Sequence, residues 1–442
     1  MPEKLKVLTI SDHPLIPSGV GLQTRYVIEG LLATGRYKFH SIGAAIKHAD
    51  YRMQNCFPDK YHGDWIVEPT DGYGDREKMR RWLDIHKPDI LFIVTDPRFY
   101  IWLFEMEDEI NAQCPIVYWH VWDNDPAPWF NDAYYESITE LAPLSLKTYG
   151  LLQDLKKSGH LKRPFTYISH AIPENEFRPI PEEEVFKFRR ERFGPHADSK
   201  FIVFFNSRNA RRKMTGDIIG SFAKFAKRVG PENATLFMQT QAKDPEGQDL
   251  TAVANRFGID SRLMISEQRI EPNVLNMFYN ASDITVNLSN NEGFGLSPLE
   301  SLMCGTPILV HMTGGLQFQI GDWWKGRVDF SDQDEMTADQ KKKWNRKEGN
   351  WWGVPVFPVS RSCTGSQPIP YIYDDRFSDD DVVSGLVQLY NMGRLARKEL
   401  GLRARPWAIE NFNMARMVQS FDDLFRKSLV DHRRPQPRMV QL

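Results

Sequence analysis

Short apolar runs recur along the chain, separated by polar segments of helix length. In the first half they fall at residues 6–10, 90–94, 116–121, 143–146 and 166–169. In the second half they fall at 201–205, 235–238, 262–265, 284–288 and 307–310. A strand covered by helices on both faces loses the in-out alternation of a half-exposed strand, so runs of this kind predict parallel sheets. Two successive sets predict an α/β chain of two doubly wound, Rossmann-like domains with a cleft between them.

Prolines at Pro173, Pro179, Pro181 and Pro195 place a linker at 173–198. The expected division is a first domain at 1–172 and a second at 199–405. A C-terminal helix at 406–428 is expected to return to the first domain, with Pro406 tolerated in its first turn. A basic tail at 429–442 carries Arg433, Arg434 and Arg438. Residues 321–375 resist the scheme. They hold Trp323, Trp324, Trp344, Trp351 and Trp352 among many Lys and Asp residues, without a clean period. A stretch of that length is expected to be functional or to contain its own sub-structure, with a last strand near 370–373.

A chain of 442 residues with 41% hydrophobic and 26% charged residues is ordinary globular material, and its length favours two cores. A formal net charge of -2 announces neither a nucleic-acid nor a membrane-surface partner. Cys56, Cys114, Cys304 and Cys363 are scattered, which predicts a reducing compartment rather than a disulfide framework. No apolar run approaches the roughly 18 residues of a membrane span, and no secretory leader is evident, so a cytoplasmic location is expected.

The strongest chemical signal is Asn291-Glu292-Gly293-Phe294-Gly295-Leu296-Ser297-Pro298-Leu299-Glu300, between an apolar run and a helix. Backbone N–H groups exposed at a helix N-terminus attract an anion, and Gly293 and Gly295 permit close approach. Glu292 and Glu300 flank that turn, where carboxylates can accept from hydroxyls. A second signal is Asn206-Ser207-Arg208-Asn209-Ala210-Arg211-Arg212-Lys213, a basic turn after the first strand of the second domain. Arg208 and Lys213 are the expected phosphate ligands, with Arg211 and Arg212 behind them. A third is Ser18-Gly19-Val20-Gly21 after the opening strand, which lacks the third glycine of a dinucleotide fingerprint. His120 ends the third strand. It is either a core histidine or a catalytic one. Asp123-Asn124-Asp125 just beyond reads as a polar loop.

The Glu292-to-Glu300 block, continued by Cys304-Gly305-Thr306-Pro307, resembles the Glu-x7-Glu signature of retaining glycosyltransferases of the GT-B fold, above all glycosyltransferase family 4. The turn at 206–213 is similar to that family's cationic diphosphate clamp. The resemblance implies a nucleoside-diphosphate sugar as donor, with no cofactor and no metal required. It places Glu300 on the ribose hydroxyls and Glu292 on the donor sugar. Gly293 through Ser297 would face sugar and phosphate, Arg208 and Lys213 the diphosphate, Gly19 and Gly21 the diphosphate and acceptor, and His120 the reacting centre. The chain departs from the family after Gly314-Gly315, where Leu316-Gln317-Phe318 replaces the usual pattern. That departure, the Trp-rich stretch and the basic tail bring to mind phage-encoded members, some of which glycosylate hydroxymethylated pyrimidines in DNA. A 5-hydroxymethylpyrimidine is therefore one expected acceptor, against a polysaccharide, lipid or small molecule. A nucleotide-sugar epimerase, a phosphorylase and a non-catalytic nucleotide-sugar binder are the competing readings.

Overall fold

The computed structural model describes residues 3–432 apart from Pro17 and Ile46. Arg433, Arg434 and Arg438 of the expected basic tail lie outside the described residues. The first sheet has seven strands in the order β3-β4-β2-β1-β5-β6-β7. They are β1 Leu5–Asp12, β2 Tyr37–Ala44, β3 Gln54–Asn55, β4 Trp65–Pro69, β5 Ile90–Thr95, β6 Ile116–His120 and β7 Glu140–Pro143. All pair parallel except the short edge strand β3. The second sheet is wholly parallel, in the order β10-β9-β8-β11-β12-β13. Its strands are β8 Phe201–Asn206, β9 Ala234–Gln239, β10 Leu263–Ser266, β11 Ile284–Asn287, β12 Ile308–His311 and β13 Gly353–Val356. The order reverses beside β1 in the first sheet and beside β8 in the second. Crevices open at such points, outside the carboxyl ends of the strands.

The central strands carry the expected burial: every residue of β5 and β6 is buried. Several expectations shift. Residues 143–146 are not a strand: β7 ends at Pro143, and Ser145 caps the helix Leu146–Lys157 by accepting from the Thr148 amide. Residues 166–169 run extended without becoming a strand. Pro406 is not in a first turn; it lies inside the helix Arg394–Asn411, and a separate helix, Met414–Asp431, follows. That last helix packs on the helix Gly19–Ala33 and against β5 and β6, with Phe421 and Phe425 edge-on to Phe92.

Part of the expected linker is core. The helix Glu182–Phe193 lays Phe188 and Phe193 on Phe278 of the second domain. Beneath it Arg189 donates to the Ala281 carbonyl (2.7 Å) and to Asp283, whose other oxygen meets Arg397 at 2.7 Å. A buried carboxylate held between two guanidiniums is costly to break from either side, since removal of one partner strands the others in a dry interior.

The Trp-rich stretch contains the helix Gln333–Arg346, the sheet's last strand β13, and a hairpin of β14 Ser360–Ser366 and β15 Ile369–Arg376. The expected last strand at 370–373 is thus one arm of that hairpin, not a member of the main sheet. The stretch spans the two domains. Ile369 joins the first domain's core, the Tyr373 amide donates to the Asp125 carbonyl (2.7 Å), and Gln153 exchanges hydrogen bonds with Val328 and Phe330. Its tryptophans are structural. Trp323 and Trp352 are buried, Trp344 and Trp351 meet edge-on, and Trp324 donates to the Phe318 carbonyl. None is exposed, so these tryptophans present no open face on which a base could stack.

Candidate active site

The donor-type loop leaves β11 and enters the helix Leu296–Met303 through Gly295, whose φ of +88° is a left-handed conformation that a glycine adopts without strain. A β-carbon at Gly295 would meet Leu316 at 2.5 Å. Gly314 and Gly315 pack under the same loop, against the carbonyls of Glu292 and Gly293. Gln319, wholly buried, donates from its amide to the carbonyls of Phe294 (2.6 Å) and Gly295 (2.9 Å). With those carbonyls turned inward to a partner, the loop is fixed for its opposite face to meet a ligand. Sequence reasoning missed Gln319 as a positioning residue. The departure from the family pattern after Gly315 was its only signal.

The basic turn divides its cations. Lys213 forms an ion pair with Glu292, and Arg212 lies 3.4 Å from the same carboxylate and donates to the Asn291 carbonyl at 3.0 Å. Burial alone would raise the Glu292 pKa, but the charges of Lys213 and Arg212 hold it down at about 2. Arg208 is not paired with this carboxylate: its side chain is 61% exposed and bound in a fork to Asp244, at 2.8 and 2.9 Å. That fork uses Nε and one terminal nitrogen, and the other terminal nitrogen keeps its N–H groups. Arg212, not Arg208, is the arginine beside Glu292.

Glu300 is buried one turn inside the helix, accepting from the Tyr279 hydroxyl, which in turn accepts from the Asn206 amide at 2.9 Å. Burial raises its pKa to about 7, against the lowering effect of the Tyr279 hydrogen bond. Ser297 is buried beside it and Leu296 half-buried. Phe294 is a packing residue, its ring 5.0 Å from His170 and 5.3 Å from Phe412.

The first domain closes the other wall. Ser18 caps the helix Gly19–Ala33 and donates to Asp12. A β-carbon on Gly19 would touch Leu296 at 3.3 Å, and one on Gly21 would strike the His13 carbonyl at 2.6 Å. Both glycines are therefore close approaches, and Gly19 faces the helix entry of the second domain. Val121 and Asp123 come up to Gly293 from the end of β6. His120 does not join them. Its ring is wholly buried between Tyr118 and Tyr135, with Nε2 2.8 Å from the Tyr135 hydroxyl. Burial holds its pKa at about 3, and the strand's alternation turns it into the core. His170 meets the loop instead, packed against Trp119 and Phe294 with its Nδ1 unpartnered among the described residues.

Carboxylates from both domains and cations from the second thus flank a glycine turn at a helix N-terminus, at the carboxyl ends of the two sheets. Among solved structures, the chain superposes on sucrose-phosphate synthase from Thermosynechococcus elongatus with a TM-score of 0.70, covering 97% of this chain and 100% of that one at 15% identity. It is similar also to Anabaena HepE in complex with UDP and glucose, with a TM-score of 0.67 over 96% of this chain and 100% of that one, at 13% identity. The fold is GT-B. Residues 187–348 match the family model for glycosyl transferases group 1, and they contain both the cationic turn and the Glu292-to-Glu300 block of the GT-B cleft. A curated relative, D-inositol 3-phosphate glycosyltransferase of Thermobispora bispora, is 29% identical over 160 residues, 35% of this chain and 36% of that protein. Trehalose synthase of Pyrococcus horikoshii is 32% identical over 111 residues, 25% of this chain and 23% of that one. The matches therefore span about a third of the first relative's length and less than a quarter of the second's. No described helix is long and apolar enough to cross a membrane. Among the described residues one group has metal-ligand spacing: His40 midway along β2, Glu68 near the end of β4 and His86 at the end of the helix Arg76–His86.

Proposed function

We propose that this chain transfers a sugar from a nucleoside-diphosphate donor to a hydroxyl acceptor, with retention at the anomeric carbon and without a resident metal or cofactor. The observation that carries the reading is the meeting of Lys213, Arg212 and Glu292 beside the Gly293–Ser297 amides, with Glu300 one turn deeper. Glu300 accepts from the ribose hydroxyls and Glu292 from the donor sugar. As the bond from the anomeric carbon to phosphate breaks, negative charge grows on the departing oxygen. Lys213, Arg212 and the helix N-terminus oppose that charge in a site of low polarity. The acceptor oxygen bonds to the anomeric carbon from the face the phosphate leaves, and its proton passes to the departing phosphate oxygen.

The known names support the donor class: HepE was solved with UDP and glucose, and with UDP-glucose. Hydroxymethylpyrimidine DNA loses its footing as acceptor, because the tryptophans that would stack a base are packed and the net charge is -2. A hydroxylated small molecule or glycan fits better. The test is donor turnover with UDP-glucose in Glu300→Ala and Lys213→Ala. Both fall by orders of magnitude if the assignment holds; normal turnover in either refutes it.

A further inference from the structure

We propose that the acceptor is an uncharged, hydroxyl-bearing ring, held by the Asp123 carboxylate and seated on a shelf made by Tyr73 and Phe99. The inference rests on the donor reading above and names the other half of the same cleft.

Strand order fixes where to look. Gly19, after β1, and Asp123, after β6, are points at which the first domain meets the donor loop. Between β1 and β6 lies β5. The turn leaving β5, Thr95 to Phe99, therefore stands in the middle of the wall that faces the donor sugar. Thr95 has a φ of +108°, a conformation a β-branched residue adopts only where its surroundings impose it, and its carbonyl accepts from the Tyr118 hydroxyl at 2.6 Å. That strain sharply turns the chain so that Phe99 is left 45% exposed, stacked on Tyr73 with centroids 4.5 Å apart and planes 19° apart. The Tyr73 hydroxyl donates to Asp12 at 2.6 Å, which ties the shelf to the base of the cleft.

The charge on this wall selects the ligand. Asp12 accepts from Ser18 and Tyr73 and has no cation beside it in an ion pair. Arg98, the cation of the β5 turn, is held in a fork by Asp96 at 2.8 and 2.6 Å. Asp123 differs from all of these: among the described residues its carboxylate takes no hydrogen bond and no ion pair, although it faces Arg212, Glu292 and Lys213 across the loop. A carboxylate without a hydrogen bond at the edge of a cleft accepts from a hydroxyl, and two carboxylates without paired cations, Asp12 and Asp123, disfavour a phosphorylated ligand on this side of the cleft. An aromatic face takes the apolar side of a sugar ring, leaving its hydroxyls for Asp123.

The test uses the full chain, UDP-glucose, and matched acceptors: glucose with glucose 6-phosphate, and inositol with inositol 3-phosphate. UDP release is read for each, and UDP binding is measured separately by calorimetry. Transfer to a neutral member, with its phosphate at least about tenfold poorer in kcat/KM, is the expected result. Phe99→Ala raises acceptor KM about tenfold while leaving the KM for UDP-glucose and UDP affinity unchanged, and Asp123→Asn raises acceptor KM about tenfold, by a larger factor than it changes the KM for UDP-glucose. Phe99 is surface-exposed and Asn is isosteric with Asp, so both variants test binding rather than folding; circular dichroism verifies this. Turnover confined to the phosphorylated members, no transfer to any neutral one, or an unchanged acceptor KM in both variants overturns the acceptor assignment while UDP binding leaves the donor reading intact. A chain that binds no UDP and releases none overturns the donor reading itself.

Discussion

Glu292 and Glu300 stand at the two ends of one loop-to-helix segment, both largely shut from water, and the protein sets their charges in opposite directions. Glu292 is met by Lys213 and Arg212 and stays ionised down to a pH of about 2. Glu300 meets no cation, only the Tyr279 hydroxyl, and burial lifts it to about 7. The cations decide the difference. Where a site must also hold a diphosphate, one carboxylate shares those cations and the other is left to be switched on by its ligand. The two ends of the segment are thus electrostatically distinct although they lie eight residues apart.

Removing the cation that sets the difference has the largest effect. Lys213→Ala lowers kcat/KM for UDP-glucose by about a hundredfold to a thousandfold, because it takes away charge opposite the leaving phosphate. Glu300→Gln comes next: loss of a charged acceptor for the ribose hydroxyls raises donor KM about tenfold to a hundredfold. The parent protein's donor KM also falls as pH rises through about 7, where Glu300 ionises, and this dependence is absent from Glu300→Gln. A flat KM profile between pH 6 and 8 in the parent would break the contrast.

Thermal stability reads the same contrast without substrate. Glu292, whose pKa is depressed from 4.5, adds stability that is present above that value and lost as pH falls toward about 2. Glu300, raised from 4.5, adds stability that is present below that value and lost as pH rises through about 7. Each effect is on the order of 3 kcal/mol. Melting curves of Glu292→Gln and Glu300→Gln should therefore both converge with the parent in acid and depart from it toward neutrality in opposite senses, the first less stable than the parent and the second more stable once pH passes about 7. Arg212→Ala is smaller, about tenfold in donor kcat/KM, since Lys213 remains.

Sequence alone disclosed the central strands and the segment that enters the helix, because both are written in local pattern: unbroken apolar runs, and glycines next to carboxylates. The missed strands share a different chemistry. In β2 the apolar run is broken by Lys38 and His40, since that strand lies toward the sheet's edge. β13, Gly353–Val356, is short and holds a glycine and a proline, while β14 is polar and largely exposed. Side-chain direction was equally hidden. Nothing in the spacing of 206–213 says which cation meets an acidic neighbour 36 residues away, and His120 reads as a catalytic candidate until its strand neighbours enclose it.

The turn that supplies Lys213 and Arg212 contains its own control. Arg208 carries the same charge as Arg212 four residues later, but it leans on Asp244 in an exposed fork instead of on Glu292. Exposed ion pairs contribute little, about 0 to 1 kcal/mol, and the fork through Nε and one terminal nitrogen holds the Arg208 guanidinium toward Asp244. Arg208→Ala should therefore change donor kcat/KM by less than about twofold and leave the melting temperature within a few degrees of the parent. A loss matching that of Arg212→Ala would mean that Arg208 leaves Asp244 and swings into the cleft when donor arrives. The double variant Arg208→Ala/Asp244→Ala separates the two cases. If Arg208 works only as a surface pair, the double variant behaves like the single; if it serves the donor, freeing it by Asp244→Ala alone should instead lower donor KM.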